Sequence, residues 1–185
     1  WLSPAAPFPL SDPEDASTVY PSLEHYLAAM RYKLASTKPD LAKSLFSRDG
    51  RIHQKFLNQR LLETNSNTKP LSEKRDFELL QEERDEVRKA LRPATQKTYS
   101  APIDEAAWAT VKDKVLLEAL TQRWEKDARL RKIVEAARSQ GKILLYYTPG
   151  ASSSNLGAVR KPDGSIEGDN KMGRIMMNLA GFPGF

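Results

Sequence analysis

Residues 20–35 read Tyr-Pro-Ser-Leu-Glu-His-Tyr-Leu-Ala-Ala-Met-Arg-Tyr-Lys-Leu-Ala. A helix is expected to start near Ser22, because Leu23, Leu27, Met30 and Leu34 recur at spacings of four, three and four and form one apolar stripe. Glu24, Ala28 and Arg31 repeat those spacings and form a second line on a different face of the same helix.

Outward from this helix the chain stays mostly helical. Residues 1–21 hold five prolines and no lysine or arginine, which is the composition of extended or looping chain. Short edge strands are expected at Phe8–Leu10 and Thr18–Tyr20. Downstream, Asp40–Ser47 and Ile52–Glu63 read as short helices and Thr64–Pro70 as a polar loop. Glu73–Arg92 reads as a long, charge-balanced surface helix whose buried side is Phe77, Leu80, Val87 and Leu91. Residues 41–72 lean basic, with Lys43, Arg48, Arg51, Lys55, Arg60 and Lys69 against Asp49 and Glu63. A solvated face is the first expectation there, and a phosphate-facing surface the alternative.

Asp104 is placed to cap a helix over Glu105–Lys126, with Trp108, Val111, Val115, Leu120 and Trp124 inside. Asp127 is placed to cap Ala128–Gln140, with Gly141 as its stop. Lys142–Thr148 has strand composition, which would send Tyr146 and Tyr147 to opposite faces. A Gly/Ser loop over Pro149–Gly168, with a turn at Pro162-Asp163-Gly164, and a last helix from Asn170 to Leu179 complete the chain. No internal repeat is visible. The expected class is α+β, mainly helical.

Composition narrows the function. A chain of 185 residues fits one domain, or one domain with a long insertion. At 39% hydrophobic and 29% charged residues it can bury a core. Its net charge of +5 does not by itself make a nucleic-acid binder. The absence of cysteine excludes disulfides, thiolate metal sites and cysteine catalysis. Two histidines, His25 and His53, argue against a histidine-rich metal site, and no metal or cofactor is expected. His25 is expected to be packed and hydrogen-bonded. No apolar run is long enough for a membrane span. The chain starts at Trp1 without a signal-type apolar stretch, which reads as a processed or partial product of an intracellular protein, with a virion or an organelle as possible settings.

Four collinear blocks carry a further pattern. The first is Leu2-Ser3-Pro4-Ala5-Ala6-Pro7-Phe8-Pro9-Leu10 and the second Tyr20-Pro21-Ser22-Leu23-Glu24-His25-Tyr26. The third starts at Trp108 as W-x-x-V-K-x-x-V and continues through Ala119-Leu120, Arg123-Trp124 and Leu130-Arg131. The fourth is Gly168-Asp169-Asn170-Lys171-Met172-Gly173 through Met176-Met177. Together they resemble the NADAR family, also called YbiA-like or DUF1768 proteins. The blocks cover residues 2–34 and 104–180, and residues 37–103 read as a helical insertion within a single NADAR-like domain spanning 1–185.

The resemblance implies an N-glycosidase fold and chemistry on N-ribosyl or ADP-ribosylated compounds. It also implies a catalytic set of Glu, Gln and Lys on one helix face. Here those positions hold Glu24, Ala28 and Arg31. An amine can attack an anomeric carbon and a carboxylate can shuttle the proton, but arginine stays protonated and cannot be that nucleophile. The family's D-x-x-W-G appears as Ser153-Ser154-Asn155-Leu156-Gly157, and its final arginine as Ala180. The resemblance thus implies a degraded N-glycosidase site in a non-catalytic binding or structural component of a larger assembly. The alternative is an active N-glycosidase or ADP-ribosyl hydrolase with Glu24 as its catalytic residue. The implied ligand-binding residues are Glu24, Arg31, Gly157 and Asn170, and the implied ligand a ribosyl phosphate or ADP-ribose. Protein partners are expected at the insertion. Its basic half would meet an acidic partner or nucleic acid.

Overall fold

The computed structural model describes residues 7–67, 70–146 and 156–184. The chain is mainly helical with small antiparallel strand pairs, and it divides into two compact units at Val115 and Leu116.

The first unit opens with strands β1 (Leu10–Ser11) and β2 (Val19–Tyr20), antiparallel, with Leu10 opposite Tyr20. Their connection is closed by Asp12, which is buried. Its Oδ1 accepts the Glu14 N–H at 2.9 Å and the Lys33 Nζ at 2.7 Å, and its Oδ2 accepts the Tyr20 hydroxyl at 2.9 Å. Lys33 belongs to α1 (Leu23–Ala35), so one carboxylate fastens the strand pair to the helix. Burial pushes the Asp12 carboxyl up, but hydrogen bonds from Lys33, the Glu14 backbone and Tyr20 outweigh it and hold its pKa below the ordinary 3.8. Burial pushes the Lys33 amine down, and its bonds to Asp12 and Glu14 outweigh that and hold it above 10.5.

Ser22 caps α1, as its position before the apolar repeat predicts. The helix is buried on more sides than one stripe. Leu23, Tyr26, Ala28, Ala29, Met30 and Tyr32 are all inside, whereas Leu34, expected inside, is 45% exposed. Helices α2 (Leu41–Phe46), α3 (Arg51–Asn67), α4 (Glu73–Ala90) and α5 (Pro93–Thr98) follow, and then the first half of α6 (Glu105–Lys126). Tyr20 meets Tyr26 edge-on at 5.7 Å, and Tyr32 stacks obliquely on Phe46 at 5.6 Å.

Segment 37–103 is built into this core. Leu79, Val87 and Ala90 of α4 are buried, and the Tyr32 hydroxyl donates to the Ala90 carbonyl at 2.7 Å. The inward side of α4 is Leu79, Glu83, Val87 and Ala90, and Phe77 is 61% exposed. The helix is thus turned relative to the expected Phe77, Leu80, Val87, Leu91 face, because an acidic side chain takes an inner position. The basic stretch before it is largely paired within the unit. Lys43 meets Asp15 at 3.1 Å, Arg60 meets Asp76 at 3.0 Å, and the Arg51 guanidinium lies 5.3 Å from the Tyr99 ring centre. Arg60 is the member of this stretch that reaches the cavity described below, and Lys69 lies outside the described residues. The expected loop at Thr64–Pro70 is helix as far as Asn67, since no glycine or proline interrupts it before Pro70; residues 68 and 69 lie outside the description. Helix α5, unexpected, starts where Pro93 supplies the first helical φ.

The second unit holds the remainder of α6, α7 (Ala128–Ser139), the hairpin β3 (Val159–Arg160) and β4 (Ile166–Glu167), and α8 (Lys171–Leu179). Asp127 caps α7 by accepting the Leu130 N–H at 2.9 Å. Gly141 ends that region at φ +64°, as expected of a helix stop. Leu116, Leu120, Leu130, Val134, Met176 and Met177 are buried. The expected strand at Lys142–Thr148 is not one among the described residues 142–146; Tyr147 and Thr148 lie outside them. One backbone bond, from the Ala158 N–H to the Tyr146 carbonyl at 2.8 Å, and one side chain hold its described part. Asn170 Oδ1 accepts the Tyr146 N–H at 2.9 Å, and its Nδ2 donates to the Leu144 carbonyl at 2.7 Å. Gly173 permits the approach, since a Cβ there would stand 2.4 Å from the Leu144 oxygen. No described helix is long and apolar enough to cross a membrane.

Leu79 is fully buried, and Leu79→Ala is expected to lower unfolding free energy by about 2–5 kcal/mol in urea titrations. Asp12→Asn provides a pH test. A carboxyl with a depressed folded pKa stabilises fully above its unfolded value and loses that contribution as pH falls through the folded one. The stability gap between wild type and Asp12→Asn should therefore be constant from neutrality to about pH 5 and close as pH falls below 3.8.

Candidate functional site

Helices α1, α3 and α4 enclose a cavity of about 220 Å³ in the first unit. Its wall includes Ser22, Glu24 and His25 from the start of α1, His53 and Arg60 from α3, and Asp76, Leu80, Glu83 and Arg84 from α4. The spacing on α4, i, i+4, i+7 and i+8, puts all four of its residues on one side.

Glu83 is the centre. It is 4% exposed, and its Oε1 accepts from His53 Nδ1 at 2.7 Å. His25 Nε2 lies 3.3 Å from the same oxygen, and Arg60 Nη1 3.3 Å from Oε2. The contact with His25 is ionic in distance only, since Nε2 is buried and has no aligned hydrogen-bond partner. Burial alone would raise the Glu83 carboxyl; the two imidazoles outweigh it and hold the pKa down to about 2. The other nitrogen of His25, Nδ1, stands 2.9 Å from Ser22 Oγ, which also receives the His25 backbone N–H at 3.4 Å as the cap of α1. That hydroxyl is committed to the helix end and is not a free nucleophile.

Glu24 lines the same cavity, and it is held by two guanidiniums. Arg84 Nε lies 3.1 Å from both of its oxygens, and Arg88 Nε donates to Oε1 at 3.0 Å. Arg31, two turns further along α1, is ion-paired with Glu105 of α6 and is not part of the cavity wall. Ala28 is buried between them. Gly157 and Asn170 belong to the second unit. There the Asn170 N–H donates to the Gly157 carbonyl at 3.0 Å, and the Asn170 side chain holds residues 144 and 146 at both ends of its amide. Asn170 sits at φ +47°, in the left-handed region that asparagine tolerates, and leads into α8. Its contacts are structural throughout. Ser153, Ser154 and Asn155 lie outside the described residues, as does most of the opening block before Pro7.

Sequence reading thus placed Glu24 at the cavity and missed His53, Arg60, Glu83 and Arg84. No spacing rule links positions 25, 53 and 83. The one available signal was an acid at an i+4 step from the buried Leu79 and before the buried Val87.

Removing the charge of Glu83 would leave Arg60 and two imidazoles facing a buried neutral amide. Glu83→Gln is expected to destabilise the chain by about 3 kcal/mol or more, read as a lower urea midpoint with an unchanged slope.

The chain matches no protein-family model, no curated protein and no solved structure.

Proposed function

We propose that the chain, residues 1–185, is a NADAR-like binding domain without N-glycosidase activity, which takes an anionic ribosyl compound in the first unit's cavity beside Glu24 and serves as a component of a larger assembly. The observation that carries this reading is the clamp on Glu24. A carboxylate engaged by Arg84 and Arg88 at 3.0–3.1 Å is not offered to a substrate proton. At the family's nucleophile position stands Arg31, which is always protonated and is paired with Glu105. What remains is a binding surface. Arg60 and Arg84 border the cavity, and Arg60 Nη2, buried there without a hydrogen-bond partner, is the donor left for an anionic group.

Size selects within the ligand class. About 220 Å³ lies below the roughly 300–1,000 Å³ typical of sites for larger small molecules. A ribosyl monophosphate fits that volume better than ADP-ribose.

Calorimetry with ribose 5-phosphate and ADP-ribose tests the proposal. The sugar phosphate should bind weakly, Arg60→Ala should abolish the heat, and Arg31→Ala should leave it unchanged because Arg31 lies off the wall. Turnover of an N-ribosyl substrate that Glu24→Gln abolishes would replace this reading with the catalytic one. Absence of heat with both ligands would end it.

A further inference from the structure

His25, His53 and Glu83 are drawn from three helices and offer one ligand atom each, all within 4.8 Å of one another. We propose that they form a binding site for a divalent transition-metal ion, with zinc as the ion the donor set fits best. Two imidazoles and one carboxylate are the borderline ligands that Zn²⁺ takes in sites with three protein ligands and a further position open. The proposal goes beyond the ligand reading above and does not rest on it, because the three ligands are complete without any sugar.

The unsatisfied nitrogen is the first reason. His25 is 4% exposed, and its Nε2 has no hydrogen-bond partner although it faces the Glu83 carboxylate at 3.3 Å. In the tautomer with the proton on Nδ1, Ser22 Oγ, 2.9 Å away, accepts it, and Nε2 turns its lone pair toward the Glu83 carboxylate. A metal ion selects that tautomer, because it binds the lone pair and the carboxylate together. The hydrogen bond that Nδ1–H then gives to Ser22 Oγ is also the outer contact that orients a metal-bound imidazole.

Distances are the second reason. Metal–ligand bonds of about 2.0–2.2 Å put neighbouring ligands of a tetrahedral ion roughly 3.3 Å apart. The His25–Glu83 separation already has that value. The His53–Glu83 contact of 2.7 Å is a hydrogen bond that the ion would replace, with His53 Nδ1 giving up its proton and the contact opening by a few tenths of an ångström. Arg60 lies on Oε2, the far oxygen, and fixes the carboxylate plane while leaving Oε1 to the ion. The third reason is room. All three ligands line the cavity, so the open coordination position faces space that water or an anion can occupy.

The full chain, stripped with a chelator and kept free of sugar phosphates, would be titrated with Co²⁺ and followed by its visible absorption. Zn²⁺ would then be added in competition. The expected result is saturation at one equivalent, a four- or five-coordinate Co²⁺ spectrum, and its loss as Zn²⁺ displaces the cobalt. His53 lies at the more exposed side of the site, so His53→Ala should keep the fold, as far-UV circular dichroism will show. It should weaken the metal by more than the roughly 10–100-fold that loss of an outer contact costs. His25→Gln gives a second arm, with the same loss expected. No saturable binding of either ion would overturn the proposal and leave a second proton on His25 as the cation. Binding of equal strength in wild type, His53→Ala and His25→Gln would overturn it as well.

Discussion

The first unit depends on a carboxylate, Glu83, that is almost wholly withdrawn from the surface. An uncompensated ion in such a position costs several kcal/mol, so Glu83 dictates what may surround it. His25 of α1 and His53 and Arg60 of α3 supply the compensation, at 2.7–3.3 Å. Each comes from a helix that α4 must touch. Sliding α4 by one turn along either neighbour would leave the charge unpaired, so the pairing fixes helix register as well as charge balance. Apolar contacts alone, which are non-directional, fix register less sharply. Asp12 plays the same part at the other end of α1, where Lys33, Tyr20 and a backbone N–H converge on it.

Much of the fold is legible in the sequence, because it rests on local rules. Ser22, Asp104 and Asp127 stand where helices begin, and each side chain accepts backbone N–H groups there. The misreadings share one cause. Lys142-Ile-Leu-Leu-Tyr has strand composition, but strand propensity needs a partner ladder, and here a single backbone bond from Ala158 and the side chain of Asn170 stand in its place. The run from Thr64 to Asn67 is polar, but polarity does not stop a helix that no glycine or proline interrupts. In both cases the deciding contact, or the lack of a breaker, outweighs composition.

The cavity was less legible than the fold, and helix α4 shows why. Hydrophobic periodicity assumes that charged residues face water. On α4 the assumption reverses over part of the surface: Asp76, Glu83 and Arg84 face the protein while Phe77 faces out. Charge pairs across three helices are long-range facts, and one sequence carries no mark of them. Only the E-H pair at Glu24 and His25 advertised the region, and of those two His25 was read as packing.

Stability does not account for such an interior. Replacing a buried ion cluster by well-packed apolar residues of similar volume is commonly neutral or stabilising by about 1–4 kcal/mol. A leucine-rich seam between α1, α3 and α4 would close the gap, whereas imidazoles, guanidiniums and carboxylates held at hydrogen-bond distances leave about 220 Å³ unfilled. The empty volume and the charges therefore have one explanation between them. Side chains that hold Glu83 at hydrogen-bond distance, and with it the register of α4, cannot also pack as hydrocarbons do, and the cavity is the space they leave. Glu24 fits the same logic: Arg84 and Arg88 satisfy it from α4 without filling the cavity, so the helix that orders the site also keeps it open.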